Sequence, residues 1–194
     1  MGARVPAIRL ATLLALWVVW EAAARSGLFY EGIIPSSFLV LRSMVKHVAD
    51  PVFYAHMVRT LYEVVAGFGL GTVIGLAGGI VVGANRFSDE AAAPYLHGLA
   101  STPKIVFLPI LMLLFGAGPG SKVGMGAFSA FFPVVIAVAA GMSQVSPVHV
   151  KVAKGFNASF LQIVRKVYLP SLVAPMITGM RLGLGVAIIG VLLA

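Results

Sequence analysis

The sequence has no cysteine. That excludes disulfides, thiolate-held metal sites and a cysteine nucleophile, and it leaves the redox compartment open. Charge is also scarce. Asp, Glu, Lys and Arg make up 10% of the chain, where a soluble domain carries about 25%. Acids are the rarer sign, six against 14 Lys and Arg. Glu21 and Glu63 are the only acids that fall within the apolar spans set out below, each near an end. A secondary transporter or channel would need intramembrane acids or a polar relay, and this is thin material for one. The four histidines form no cluster with Asp or Glu inside an apolar stretch. An intramembrane enzyme, whether metal-dependent or nucleophilic, therefore finds no support.

What is there is hydrophobic: 60% of the residues. The length suits one compact bundle, and the expected fold class is all-α, a polytopic transmembrane helix bundle of about five spans. The basic excess does not read as a nucleic-acid face, which needs a dense patch on a soluble fold. Positive-inside bias and attraction to anionic lipid account for it, so membrane lipid is an expected partner and nucleic acid is not.

Taken in order, the expected spans cover residues 7–24, 58–84, 91–115, 123–142 and 171–194 of a single domain, 1–194. The first has two readings. Arg4 and Arg9, the short apolar run Leu10 to Trp20 and the small residues after Glu21 fit a signal peptide. They also fit a retained helix in which Arg9 snorkels and Glu21 meets the far interface. After a turn at Ile34-Pro35-Ser36-Ser37, Phe38, Leu41, Val45 and Val48 share one helical face while Arg42 and Lys46 lie off it. That spacing predicts a helix on the membrane surface, ended by Asp50-Pro51.

The second span carries Gly67, Gly71, Gly75, Gly79 and Gly83, four residues apart and so on one face. Small residues let another helix approach closely in lipid. The seam could pack within this chain or against a second copy. The third span holds Pro94, Pro103 and Pro109, with His97 and Lys104 inside. Broken helices at membrane depth must be covered by protein or line a cavity. Pro103, Lys104 and Pro109 are therefore candidates for the lining of a pathway. Gly116 to Lys122 superficially resembles a phosphate loop, but the order is Gly-Ser-Lys and no strand precedes it. The fourth span is uncharged.

Between the fourth and fifth spans lies the most basic amphipathic stretch, KVAKGFNASFLQIVRKVYLP at residues 151–170. Its four Lys and Arg place the 145–170 loop in the cytoplasm. Counting back puts the N-terminus in the cytoplasm and residues 26–58 outside, despite Arg42 and Lys46. Arg181 falls inside the fifth span, at the cytoplasmic end or on a pathway. The sequence stops within an apolar run, and it is read as clipped or as a fragment.

With these residues laid out, the chain resembles the permease subunit of binding-protein-dependent ABC importers, of the nitrate/sulfonate/taurine branch. Family members carry a cytoplasmic E-A-A-x-x-x-G, nine residues, then I-x-L-P. Anchoring on Leu169-Pro170 sets Val167 at the isoleucine, Asn157 at the glycine, and Lys151-Val152-Ala153 at E-A-A. Lys151 and Asn157 depart from the pattern. Ile34-Pro35-Ser36, Thr102-Pro103-Lys104 through Gly118, Phe131-Phe132-Pro133 and Gly179-Met180-Arg181-Leu182 resemble further family blocks.

The resemblance implies a type I ABC importer permease-like fold in a bacterial plasma (inner) membrane, lacking the final helix with which family members continue. It implies a coupling loop in which Lys151, Ala153, Lys154, Phe156, Asn157, Ala158, Val167, Leu169 and Pro170 serve a separate ABC ATPase. A helix from 152 to 158, a turn, and a second helix from 160 to 168 would form that knob. The chain would be no enzyme and would hold no cofactor, with ATP and Mg on the ATPase. An extracytoplasmic solute-binding protein and a permease dimer complete the expected partners. The cargo would be sulfonate-, nitrate- or taurine-like, or a pyrimidine precursor. The alternatives are a truncated, inactive fragment and a secondary transporter or channel.

Overall fold

The computed structural model describes residues 4–29 and 32–194. The described residues are helical apart from short connections and contain no strand. They form two compact units, Met1–Met57 and Val58–Ala194.

In the first unit α1, Arg4–Arg25, is long and apolar enough to cross a membrane. Its last turns are tied to the start of α2, Ser37–Ala49. Trp17 Nε1 donates to Ser37 Oγ at 3.0 Å and Trp20 Nε1 to the Pro35 carbonyl at 3.1 Å. Glu21 accepts the Ser37 N–H at 3.0 Å and the Arg25 guanidinium at 2.7 Å. The chemistry of a helix start is visible here: Ser36 caps α2 and Glu21 takes an N–H left over in its first turn. Asp50 then ends α2 and caps α3, Pro51–Gly83, by accepting the Val52 N–H at 2.9 Å. Pro51 sits where a helix needs no N–H, so α3 begins earlier than the apolar run alone indicates.

The second unit is built on α6, Pro119–Ser143, the most buried of the apolar helices. Along α3, Gly67 faces Val123 and Gly126, Gly75 faces Val134, and Gly79 faces Val138. The order of contacts makes α3 and α6 parallel. On α9, Leu169–Leu193, Gly179 meets Val134 and Ala137 while Gly190 meets Ser129, so α9 runs antiparallel to α6. Met125, Phe132, Val134, Val135 and Val138 of α6 and Leu172, Ala187 and Val191 of α9 form the core.

A parallel α3 and α6 impose a requirement on the chain between them. It must travel from the Gly83 end of the bundle back to the Gly67 end. Sixteen residues of helix separate those ends, about 24 Å at 1.5 Å per residue. The return is made by α4, Arg86–Ser101, a 3₁₀ turn, Lys104–Phe107, and α5, Leu108–Phe115. The pair is bent by 94° at the break after Ser101. Pro103 supplies no N–H at the break, and the residue before it is pushed out of helical geometry. Thr102 accordingly has ψ 135. Phe107 and Phe128 hold the break against α6, ring centroids 4.7 Å apart. With the bent pair counted as one crossing, the helices are numerous and apolar enough for five.

Candidate functional site

The basic loop is ordered by its own caps. Ser146 accepts the Val148 N–H at 3.3 Å and Pro147 occupies the first turn of α7, Pro147–Gly155. The helix stops in a defined way. The Ala158 N–H reaches back to the Ala153 carbonyl at 3.0 Å, and the Asn157 N–H to the Lys154 carbonyl at 2.9 Å. Asn157 itself has φ 55, the only positive-φ residue other than glycine among the described residues. This is a Schellman stop, with Asn157 as the left-handed residue and Ala153 as the acceptor. The spacing of Ala153 and Asn157 thus has a backbone reason: they are the two ends of one helix terminus. Asn tolerates the left-handed region better than other side chains do.

A new helix starts at once. Ser159 and Gln162 form a capping box, with the Ser159 N–H donating to Gln162 Oε1 at 2.8 Å. The helix α8, Phe160–Ile163, passes through a π turn, Val164–Tyr168, directly into α9. The Leu169 N–H bonds the Val164 carbonyl, five residues back. The wide turn lies just ahead of Pro170, whose ring would clash with the carbonyl four residues earlier and has no proton to give it. The helix therefore continues across Leu169-Pro170 and does not break there. The first helix of the loop begins five residues before the 152 start expected from the sequence, because the Ser146-Pro147 cap places it there.

The turn between the two helices presents apolar side chains to solvent. Phe156 is 84% exposed, Phe160 81% and Leu161 73%. Lys151, Lys154, Arg165 and Lys166 are also exposed. Ala153, Ala158 and Val167 are half-buried, and Leu169 and Pro170 are exposed. Ile163 and Leu172, both buried, anchor the second helix of the loop. Beside the loop, a cavity of about 450 Å³ is lined by Arg86 and Asp89 of α4, Lys151 and Lys154 of α7, and Tyr168.

The other sequence candidates lie elsewhere in the second unit. All five ladder glycines are buried against α6 of the same chain. A Cβ added at Gly71 would meet the Ala127 carbonyl, and one at Gly83 the Met142 side chain. Pro103 forms the break, and Pro109 sits in the first turn of α5, where its missing N–H costs nothing. Lys104 is half-buried, its Nζ donating to the Ala100 carbonyl at 3.1 Å. Arg181 is exposed on α9, between Gly179 and Gly183, and so stands at the level of Val134 midway along α6.

Residues 69–194 match the family described as binding-protein-dependent transport system inner membrane component. The chain belongs to this family. It is an ABC importer permease and a multi-pass inner-membrane protein. It is 30% identical to a probable ABC transporter permease protein of Haemophilus influenzae, over 90% of this chain and 71% of that one. A putative aliphatic sulfonates transport permease protein of Bacillus subtilis is 27% identical, over 91% of this chain and 64% of the relative. The taurine transport system permease protein of Escherichia coli is 26% identical, over 92% and 67% respectively. The permease chain described here spans about two thirds of the length of these relatives.

Two features of the permease go beyond its sequence pattern: the partners of Glu63 and the unpaired hydroxyl of Ser129. Glu63 is buried between Arg59 at 3.6 Å and Lys122 at 3.9 Å. The Arg59 spacing of four was visible, but Lys122 is distant in sequence. Ser129 is fully buried with no hydrogen-bond partner. Nothing in the uncharged stretch around it distinguishes it from its neighbours.

Proposed function

We propose that this permease forms the membrane path of an ATP-driven importer and couples to a separate ABC ATPase through its 145–170 loop. The observation that carries the reading is the exposed cluster Phe156, Phe160 and Leu161 on a capped turn between two helices. Exposed aromatic side chains on a rigid support, with basic residues around them, have the make-up of a docking centre and its rim. The helix that leaves the turn continues without interruption into α9. Force applied at the turn is delivered to the core helix as rigid-body motion. Lys151, where the family has glutamate, adds a cation to the rim, so the complementary groove carries acids at that place.

On this reading the loop and the N-terminus face the cytoplasm, and ATP and Mg belong to the ATPase. A second permease copy faces this one across the path, and an extracytoplasmic binding protein delivers the cargo. The relatives named for aliphatic sulfonates, taurine and nitrate point to a small solute of that kind, and one named for formylaminopyrimidine keeps a pyrimidine precursor in view.

The test is co-purification from membranes that express the permease with its ATPase. Phe156→Glu together with Phe160→Glu is expected to abolish capture of the ATPase while the permease stays in the membrane. Undiminished capture by that double variant would overturn the coupling role.

A further inference from the structure

The helix α2 belongs to the first unit and is exposed along its whole length after Ser37. It is held at both ends. Trp17, Trp20 and Glu21 of α1 bond Pro35 and Ser37 at its start. At its close the Tyr54 hydroxyl of α3 donates to the Val48 carbonyl at 2.9 Å, and Asp50 caps α3. Both flanking helices are long and apolar enough to cross a membrane, whereas α2 has 13 residues. A crossing needs about 20. A helix tied between the end of one span and the beginning of the next lies where both emerge. Tryptophans gather at that depth, and the chain's two stand at this junction.

The two faces of α2 differ. At about 100° per residue, Phe38, Leu41, Val45 and Val48 fall within about 80° of arc. Arg42, Ser43, Lys46 and His47 occupy the other side, with Leu39 the one apolar residue among them. The four apolar side chains of the stripe are exposed, so no other part of the first unit covers them. Arg42 and Lys46 are four residues apart, a spacing at which like charges repel. Neither takes part in the four ion pairs among the described residues. Asp50, four residues beyond Lys46, spends an oxygen on the Val52 N–H. The two cations therefore lack a counter-charge. An apolar stripe beside a basic face is the make-up of a helix lying in a bilayer surface.

We propose that α2 is a seat for anionic phospholipid: its stripe enters the acyl region, and Arg42 and Lys46 share the phosphate of one headgroup. A guanidinium meets phosphate oxygens through two N–H groups, and an ammonium adds a point charge. One shared anion turns the repulsion along α2 into attraction. Zwitterionic lipid covers the stripe equally well but brings no net charge to offset the pair. The spacing of apolar residues predicts a surface helix; the ties at both ends and the unpaired cations add what that helix holds. The seat is separate from the solute path and holds for either direction of the chain across the membrane. It selects the lipid that borders the junction of α1 and α2.

The test uses the full chain in phosphatidylcholine nanodiscs that contain a minor fraction of phosphatidylglycerol. Bromine is placed on the acyl chains of one lipid at a time, at equal mole fraction, and quenching of Trp17 and Trp20 is followed. Brominated phosphatidylglycerol is expected to quench more strongly than the same fraction of brominated phosphatidylcholine, from an enrichment of about fivefold per cation. Arg42→Gln with Lys46→Gln removes the excess, and Arg42→Lys with Lys46→Arg keeps it. Equal quenching by the two lipids, or an excess that survives the glutamine pair, overturns the proposal. The chain has no cysteine, so a single one reports each face. With all lipid brominated, a fluorophore on Val45→Cys is expected to be quenched by the lipid, and one on Ser43→Cys by iodide in the buffer. A label at position 45 that bromine does not reach marks protein over the stripe and overturns the seat. None of these readouts involves the ATPase or transport, so their failure is distinct from loss of ATPase capture.

Discussion

The Glu63 carboxylate of α3 and the Lys122 ammonium of α6 lie 3.9 Å apart, across the end of the glycine seam. The two sides of this pair are unequal. Glu63 is 1% exposed, whereas Lys122 and Arg59 keep substantial contact with solvent. Removing the carboxylate strands cations that remain partly solvated. Removing both cations strands a buried carboxylate. Glu63→Leu is therefore expected to change the melting temperature little. Arg59→Ala with Lys122→Ala is expected to cost about 1–3 kcal/mol. Thermal unfolding of the two variants in the same lipid checks the order, and a larger loss from Glu63→Leu would contradict it.

Along the same seam, α3 offers an internal control. A Cβ at Gly71 would press on the Ala127 backbone carbonyl, which cannot swing away, while one at Gly69 meets nothing within 4 Å. Gly71→Ala is expected to destabilise by about 1–3 kcal/mol as overpacking. Gly69→Ala is expected to be neutral or to gain up to about 1 kcal/mol from helix propensity. Melting temperatures of the purified variants decide between them.

The left-handed backbone at Asn157 makes a sharp prediction about the coupling loop. Asn157→Gly should keep the helix stop and retain ATPase capture. Asn157→Val forces a β-branched side chain into the left-handed region, at about 1–2 kcal/mol. It should reduce capture while leaving membrane insertion intact. Equal capture by both variants would show that the stop is not needed for docking.

The Ser159–Gln162 box orders the other side of the turn. Ser159→Ala removes the acceptor for the Gln162 N–H, a loss of about 1 kcal/mol for a capping residue. Hydrogen exchange is expected to quicken at residues 160–163 and to stay unchanged in α6, which lies outside the capped turn.

These elements differ in how far the sequence exposed them. The glycine ladder was legible because a period of four is a property of one helix. Its partner was not, since α6 is met only after the chain has crossed the bundle again. Asn157 was placed by spacing from Leu169-Pro170, and its tolerance of positive φ follows from its side chain. The start of α7 lies at Ser146-Pro147, a helix opening, five residues ahead of the start expected at 152, because the cap sits outside the basic stretch that marks the loop. The continuity through Pro170 was hidden because proline ordinarily reads as a stop, and a π turn absorbs it here. The break at Pro103 was half legible. Pro103 and Lys104 announced a break, but Phe128 comes to hold Phe107 only through the packing of α6.

That π turn also sets a rotational phase. Each residue of an α-helix advances the side chains by about 100°, and a π turn accommodates roughly one extra residue. Were Val164–Tyr168 wound as ordinary α-helix, the face carrying Phe160, Leu161 and Arg165 would be turned about a quarter of a revolution relative to the one carrying Gly179, Gly183 and Gly190. The single widened turn works as a keyway. It lets the exposed surface and the buried one each keep its own angular setting on a common shaft.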